Sequence, residues 1–278
     1  MEPNQIRITV VVDNHAGQGL EAEHGLALWI ETPEGRILFD TGAGRALGAN
    51  AKALGVDLRA TDTLVLSHGH YDHTGAIPRV LEAAQRCEVY CHPGAMQPRF
   101  SIRDGAAKPI GMQRESILAL ERLPPQRIHW VSQPTQLSEA IGITGPIPRE
   151  TAYEGTGGPF FLDSGGKHPD LIDDDLALWL RTAAGLVVCV GCCHAGLANT
   201  LAHIRRLTDD AKIRAVIGGF HLIDASEERL ERTVSVVEGL APEAVIPCHC
   251  TGERAAAAFR ERLGRRIVPG AAGEVYQF

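Results

Sequence analysis

The six residues His68-Gly69-His70-Tyr71-Asp72-His73 put three imidazoles and a carboxylate into one short stretch of chain. His68 and His70 are two apart, so in an extended segment both rings point to one side. Asp72 and His73 fall where the chain turns into a helical stretch and face the same space from another direction. Imidazole nitrogen and carboxylate oxygen suit Zn²⁺, and also Mn²⁺ or Fe²⁺. Histidine recurs far along the chain at His194, His221 and His249. His194 would complete three histidines around one ion with His68 and His70. Asp72, His73 and His249 could hold a second. Each ion would keep open positions for water or substrate, as catalytic sites require.

The elements that must carry these residues share a plan: a short apolar strand, a polar turn, then a helix. "RITVVV" reads as a first strand, and residues 20–39 as two antiparallel strands around Pro33-Glu34-Gly35, the second ending at Asp40. "TLVLS" reads as a strand ending at the histidine cluster, with its helix in "AIPRVLEAAQR". A strand at 186–190 leads to His194 and to a helix with apolar residues at 197, 201 and 204. "IRAVIGGF" leads to His221 and "EAVIPC" to His249, with Ser226 and Thr251 placed as helix N-caps. Functional groups in open α/β sheets gather at the carboxyl ends of strands, and four separate strand ends here deliver histidine. "CEVYCH" ends at His92, which reads as a structural edge residue. Residues 93–170 are rich in Pro, Gly and Arg, with one convincing helix near 113–121. They read as an elaboration packed beside the site, within one domain spanning 1–278; an inserted lid is the alternative.

With 278 residues, 44% of them apolar, the chain can bury a sizeable core. The net charge of −7 and the absence of a clustered basic stretch point away from nucleic acid. No apolar run approaches the roughly 20 residues of a membrane span. The N-terminal stretch lacks a signal-like apolar core, and the seven cysteines are irregularly spaced. The expectation is a cytoplasmic protein with reduced thiols, acting on a small molecule. Nothing in the sequence sets the oligomeric state.

The H-x-H-x-D-H motif resembles the signature of the metallo-β-lactamase superfamily. "LFDTG", "GCCHAG" and "CHC" resemble its flanking motifs in the same order. Through "EHGLALWIE", "GPIPRETAYE", "GCCHAGLANT", "GGFHL" and "CHCTG" the chain is similar to the branch of dihydropterin ribofuranosylaminobenzene 5′-phosphate synthase-like proteins. The resemblance covers nearly the whole chain. It implies an α/β (α+β) four-layer αββα sandwich with a metal pair at one edge of the sheets. It implies a hydrolase using metal-bound hydroxide, with a phosphoester, ester or lactone as substrate. Asp72 would also take the proton from the attacking water, and Asp40 would accept a hydrogen bond from a ligand histidine and fix its tautomer. There is one departure: His221 stands where many members carry an aspartate that bridges two ions. That leaves one or two ions open, and His221 as ligand, substrate contact or general acid. An iron-dependent redox protein, a pterin-related synthase and a binding protein without turnover are the other readings.

The remaining polar residues divide. His24 and Asn14 line the pocket or sit on surface loops. Arg149 holds an anionic substrate group by a forked contact or makes an ordinary salt bridge; Glu154 lies in the same branch-like stretch. Asp175 reads as a solvating carboxylate at a strand start. Cys192 and Cys250 read as small buried residues beneath the site. Cys193 and Cys248 are open between that role and thiolate ligation.

Overall fold

Alternation along the strands decides the layering of residues 5–278, which the computed structural model describes. In the strand Ala27–Thr32, Leu28 and Ile30 enter one apolar cluster while Ala27 and Trp29 enter another. In Gly185–Val190, Val187 and Cys189 join the same cluster as Leu28, whereas Leu186, Val188 and Val190 join a third. Strands buried on both faces must have a layer on each side. The shared cluster is the seam between two sheets, holding Ile8, Phe39 and Val65 against Leu178, Ala215 and Ile246. The outer clusters pack helices on the sheets. Leu47, Ile77 and Leu120 cover the first sheet; Leu201, Val234 and Phe259 cover the second. The result is a four-layer αββα sandwich. Phe39 is fully buried at the seam, and its truncation to Ala should cost about 3–5 kcal/mol.

Each sheet repeats one device. The first has seven strands in the order Val275–Gln277, Arg7–Val12, Ala27–Thr32, Gly35–Phe39, Thr63–Val65, Glu88–Cys91 and Ile128–Trp130. The last four run parallel. The second has six: Ala244–Cys248, Ile213–Gly219, Gly185–Val190, Ala177–Thr182, Ile141–Ile143 and Thr135–Gln136. Its first three run parallel. In both sheets a tight hairpin feeds the parallel strands. Thr32 Oγ1 donates to the Gly35 carbonyl in one hairpin, and Thr182 Oγ1 to the Gly185 carbonyl in the other. The carboxyl ends of both parallel sets open on the same edge.

Helices occupy Ile77–Ala83, Arg114–Glu121, Leu197–Leu207, Glu227–Leu240 and Glu253–Leu263, among others. Ser226 caps Glu227–Leu240 by accepting from the Arg229 N–H. Thr251 does not cap a helix; the next one starts after Gly252. Its hydroxyl instead donates to the Cys248 carbonyl and accepts from the Phe220 N–H, tying two strand ends together. His92 accepts from the Gly94 N–H at the start of a short 3₁₀ turn. The stretch 93–170 is divided. It gives Ile128–Trp130 to the first sheet and Ile141–Ile143 to the second. Its hairpin Phe100–Arg103 and Ala106–Pro109, paired with Phe160–Phe161, forms a small third sheet beside the site. Among the described residues no helix is long and apolar enough to cross a membrane.

Candidate metal centre

Five strand ends build the site, and four of them use backbone that L-residues avoid. Asp40, Cys193, His221 and His249 have φ of 61°, 53°, 46° and 48°. Such left-handed residues cost about 1 kcal/mol or more each and persist where surroundings over-determine them. Buried carboxylates do that here. Asp174 accepts from the Gly69 N–H at 2.8 Å, Asp175 from the Ala195 N–H at 2.7 Å, and Asp13 from the His249 N–H at 2.7 Å. Asp175 is therefore no solvating carboxylate: it is buried, and desolvation pushes it up to about 7. Asp174 is in turn paired with buried Arg99, which also reaches Asp170. Gly191 matters for a different reason. A Cβ there would lie 2.0 Å from Ser67 Oγ, so the strand end bearing Cys192 presses on the turn bearing His68.

The imidazoles are oriented one by one. His68 Nδ1 meets Ser67 Oγ at 2.9 Å, and its Nε2 lies 2.9 Å from His70 Nδ1. His194 Nδ1 donates to the Thr156 carbonyl at 2.7 Å, which leaves Nε2 buried and without a partner. His73 Nδ1 donates to Asp40 Oδ2 at 2.7 Å, and His249 Nδ1 to Asn14 Oδ1 at 2.8 Å. Asp72 Oδ2 lies 3.2 Å from Nε2 of both His249 and His24. His68, His73, His194 and His249 thus each have Nδ1 held by an acceptor or a hydroxyl, whereas His70 Nε2 is unpartnered. Such outer contacts set tautomer and aim.

Charge follows geometry. Burial holds His68, His70 and His194 well below the ordinary histidine range, and neighbouring imidazoles reinforce it at His68 and His194. Burial thus favours the neutral form of these rings, the form that ligates a cation. Burial alone would raise Asp72, but His73, His24 and His249 outweigh it and keep the carboxylate well below its usual range. Burial would likewise lower His73, yet Asp40 and Asp72 push it up to about 9. Buried imidazole nitrogens that converge without a partner, Nε2 of His70 and of His194 among them, are what a divalent cation would satisfy. The donor set fits one. Donor atoms within 4.8 Å of one another include His68, Cys192 and His194; His73, Cys192 and His249; and His24, Asp72 and His249.

Residues 20–196 match the metallo-beta-lactamase superfamily. The chain belongs to this superfamily. It is 29% identical to the Methanocaldococcus jannaschii 7,8-dihydropterin-6-methyl-4-(beta-D-ribofuranosyl)-aminobenzene-5'-phosphate synthase, over 99% of this chain and 97% of that protein. An uncharacterized protein of the same organism is 30% identical over 89% of this chain and 91% of its own. Among solved structures, Tm1679, described as a metal-dependent hydrolase of the beta-lactamase superfamily, superposes with a TM-score of 0.82. It shares 30% identity, and 98% of each chain is covered.

Metallo-β-lactamase superfamily members bind metal ions, and in this one the H-x-H-x-D-H turn meets His194 and His249 from the other sheet. The ring centroids of His68 and His194 are 4.8 Å apart, and those of His73 and His249 5.1 Å. His221 joins them, its ring 4.4 Å from that of His194 and its Nδ1 buried without a partner. Gly157 makes room for it: φ there is +89°, and a Cβ would lie 2.0 Å from His221 Cδ2. His24 and Asn14 both belong to the site's wall, through Asp72 and His249 respectively. Arg149 does not reach the cleft. Its guanidinium is occupied by two backbone carbonyls, of His194 and Leu171. Glu154 is structural: its oxygens accept from the Ala198 and Asn199 N–H groups at 2.9 Å, at the start of Leu197–Leu207.

The four thiols separate: the packing role expected of Cys192 and Cys250 falls to Cys193 and Cys248, which the sequence had left open. Cys192 and Cys250 face the centre, with Cys192 Sγ 3.1 Å from His73 Nε2 and 3.3 Å from Cys250 Sγ. Cys193 packs into the outer core beside Leu197, and Cys248 into the seam between the sheets. Above the centre lies a cleft of ≈ 500 Å³, walled by Tyr71, Phe160 and Ile223 and flanked by Arg103 and Lys108. Both basic residues come from the small hairpin sheet, and spacing alone carried no signal for them.

Proposed function

We propose that the protein is a metal-dependent hydrolase of small anionic molecules, with phosphoesters favoured over neutral esters and lactones. The observation that carries this reading is a set of histidine, cysteine and aspartate donors close enough to hold a cation, at the floor of a cleft that has Arg103 and Lys108 at its side. His68, His70 and His194 would hold one ion; Asp72, His73 and His249 would hold a second, with Zn²⁺ the first choice and Mn²⁺ or Fe²⁺ compatible. Bound there, a divalent cation acidifies a water to near neutrality and polarises a phosphoryl or acyl oxygen.

The chain's own residues supply the rest. Arg103 and Lys108 bind the anionic end of the substrate. Phe160 and Ile223 exclude bulk water from the far wall. Asp72 accepts a proton at Oδ2, where His24 and His249 converge. His221 stands over the cleft beside His194 and serves the leaving group as proton donor. The anion contact weighed for Arg149 from the sequence passes to Arg103 and Lys108.

A second reading is a condensation like that named for the M. jannaschii relative. It is favoured by 29% identity over essentially both chains and by the aromatic pair Tyr71 and Phe160 lining the cleft. Elemental analysis of protein purified without a chelating tag comes first. A panel of phosphomonoesters, phosphodiesters, esters and lactones then competes with a pterin-condensation assay. Turnover of a phosphoester with zinc bound supports hydrolysis. Condensation without hydrolysis reassigns the protein, and iron with no hydrolysis points to redox chemistry.

A further inference from the structure

Two thiols that the proposed mechanism leaves unused lie at the middle of the centre. The Cys192 sulfur falls within 4.8 Å of donors from His68 and His194 on one side and from His73 and His249 on the other. Among the described residues it is the only one belonging to both of those sets. The carboxylates do not play that part. Asp40 has both oxygens in use, Oδ1 by the Ser67 N–H and Oδ2 by Ser67 Oγ and His73. Asp72 groups with His24 and His249 but not with His68 or His194. The strand end Ile213–Gly219, which could have delivered an aspartate, delivers His221 instead.

Two divalent cations close together repel strongly unless an anion lies between them. Thiolate is a good ligand for Zn²⁺ and its neighbours. We propose that the Cys192 thiolate is the ligand shared by the two cation positions, standing where a bridging carboxylate is missing. This deepens the two-cation reading above and presupposes it. The second, independent sign is the buried, unpartnered Nε2 of His194, a donor in the same group as the Cys192 sulfur.

Position and support agree with that role. The close approach of Gly191 to Ser67 brings the sulfur against the H-x-H-x-D-H turn. Cys250, whose sulfur also lies within 4.8 Å of donors from Cys192 and His221, is assigned the part of a positioning residue. Its thiol donates toward the Cys192 sulfur at 3.3 Å and can hold the anion in place. The neighbouring Cys193 points into the core and is excluded as ligand. Cation binding would release the Cys192 proton to solvent, so loading consumes no other reagent.

The test uses cobalt, which reports sulfur ligation by colour. Metal-free protein is titrated with Co²⁺ while bound cobalt is counted and thiolate-to-cobalt charge transfer is followed in the near ultraviolet. Wild type should bind two equivalents and show the charge-transfer band. Cys192→Ser should lose the band and bind the second equivalent at least about tenfold more weakly. Cys192→Asp should recover the second equivalent without the band, and Cys250→Ser and Cys193→Ser should keep the band. Circular dichroism checks each variant's fold; were Cys192→Ser unfolded, the wild-type band and Cys192→Asp would decide. A wild-type protein that binds cobalt without the band, or a band that survives Cys192→Ser, overturns the sulfur assignment alone. So does a band lost only in Cys250→Ser. No cobalt binding by wild type would instead overturn the metal centre itself.

Discussion

In the first sheet, four donor residues occupy six consecutive positions after a single strand. In the second, Cys192 with His194, then His221, then His249, each come from a separate parallel strand. The first arrangement is local: one turn and its helix hold the geometry. The second depends on the register of three strands, Gly185–Val190, Ile213–Gly219 and Ala244–Cys248, being kept to within a residue. A one-residue slip would turn every side chain to the other face. The centre therefore joins a cluster written into local sequence to one written into topology, and both must meet at the seam.

The sharpest way to break this comparison is to remove one donor from each half. His70→Ala and His194→Ala should each lower metal-dependent turnover by about a thousandfold or more, and each should lower bound metal in elemental analysis. The fold should survive in both, because the seam and the outer clusters are untouched. Full metal content in either variant would show that its half contributes no ligand. Chelation should mimic both and lower the melting temperature, since a cation binding only the native state stabilises it.

The next largest effect should come from the buried carboxylates that brace the two turns. Arg99 and Asp174 are 2% and 0% exposed, and Asp174 holds the Gly69 N–H of the first half's turn. Arg99→Ala leaves that charge buried and uncompensated, which should cost about 3–5 kcal/mol in denaturant unfolding. Arg99→Met, which keeps volume but leaves the same charge, should be no better. A loss under ~1 kcal/mol would mean the brace is not needed to hold the turn.

The difference between the halves also explains what could be read from the chain and what could not. His68, His70, Asp72 and His73 are contiguous, and the strand before them and helix after them set their direction. The four layers were legible only through the resemblance that the H-x-H-x-D-H, "GCCHAG" and "CHC" motifs carry; the chain's own pattern gave strands, turns and helices but not how the sheets stack. The cysteines failed because "GCCHAG" does not say which thiol turns inward. Cys193 is in the left-handed region, and across that kink Cys192 lies at the centre and Cys193 in the core. Arg149 stayed open between a substrate contact and a salt bridge for a related reason, and it makes neither. A guanidinium near the site is as well satisfied by two carbonyls as by a substrate, and the choice depends on the 171 and 194 turns meeting. Arg103 and Lys108 carried no motif at all; they reach the cleft because the hairpin folds back beside Phe160 and Phe161.

Each half also caps one of its helices with a buried glutamate, which allows a finer comparison. Glu23 accepts from the Ala43, Gly44, Arg45 and Ala46 N–H groups ahead of Ala46–Ala53. Glu154 accepts from Ala198 and Asn199 at the start of Leu197–Leu207. Neutralising either weakens charge-assisted bonds to helix N-termini. Glu23→Gln should cost about 2–3 kcal/mol and Glu154→Gln about 1–2 kcal/mol in the same unfolding assay, the order following the number of N–H groups held. The reverse order would show that the first half's cap is redundant with its turn.

The smallest effect concerns the substrate alone. Arg103 is more than half exposed and already paired with Asp224 at 3.0 Å, whereas Lys108 sits 5.6 Å from the centre of the Tyr71 ring. Neither touches a donor of the metal centre, so removing them should leave bound metal unchanged. Arg103→Ala and Lys108→Ala should each raise KM for a phosphoester by about three- to tenfold, with kcat nearly constant, the pattern of lost uniform binding. Their KM effect should vanish with a neutral ester and shrink as salt is raised, because exposed charges are screened. Equal losses on neutral and anionic substrates would mean that the hairpin only shapes the cleft, and that the preference for anions lies elsewhere.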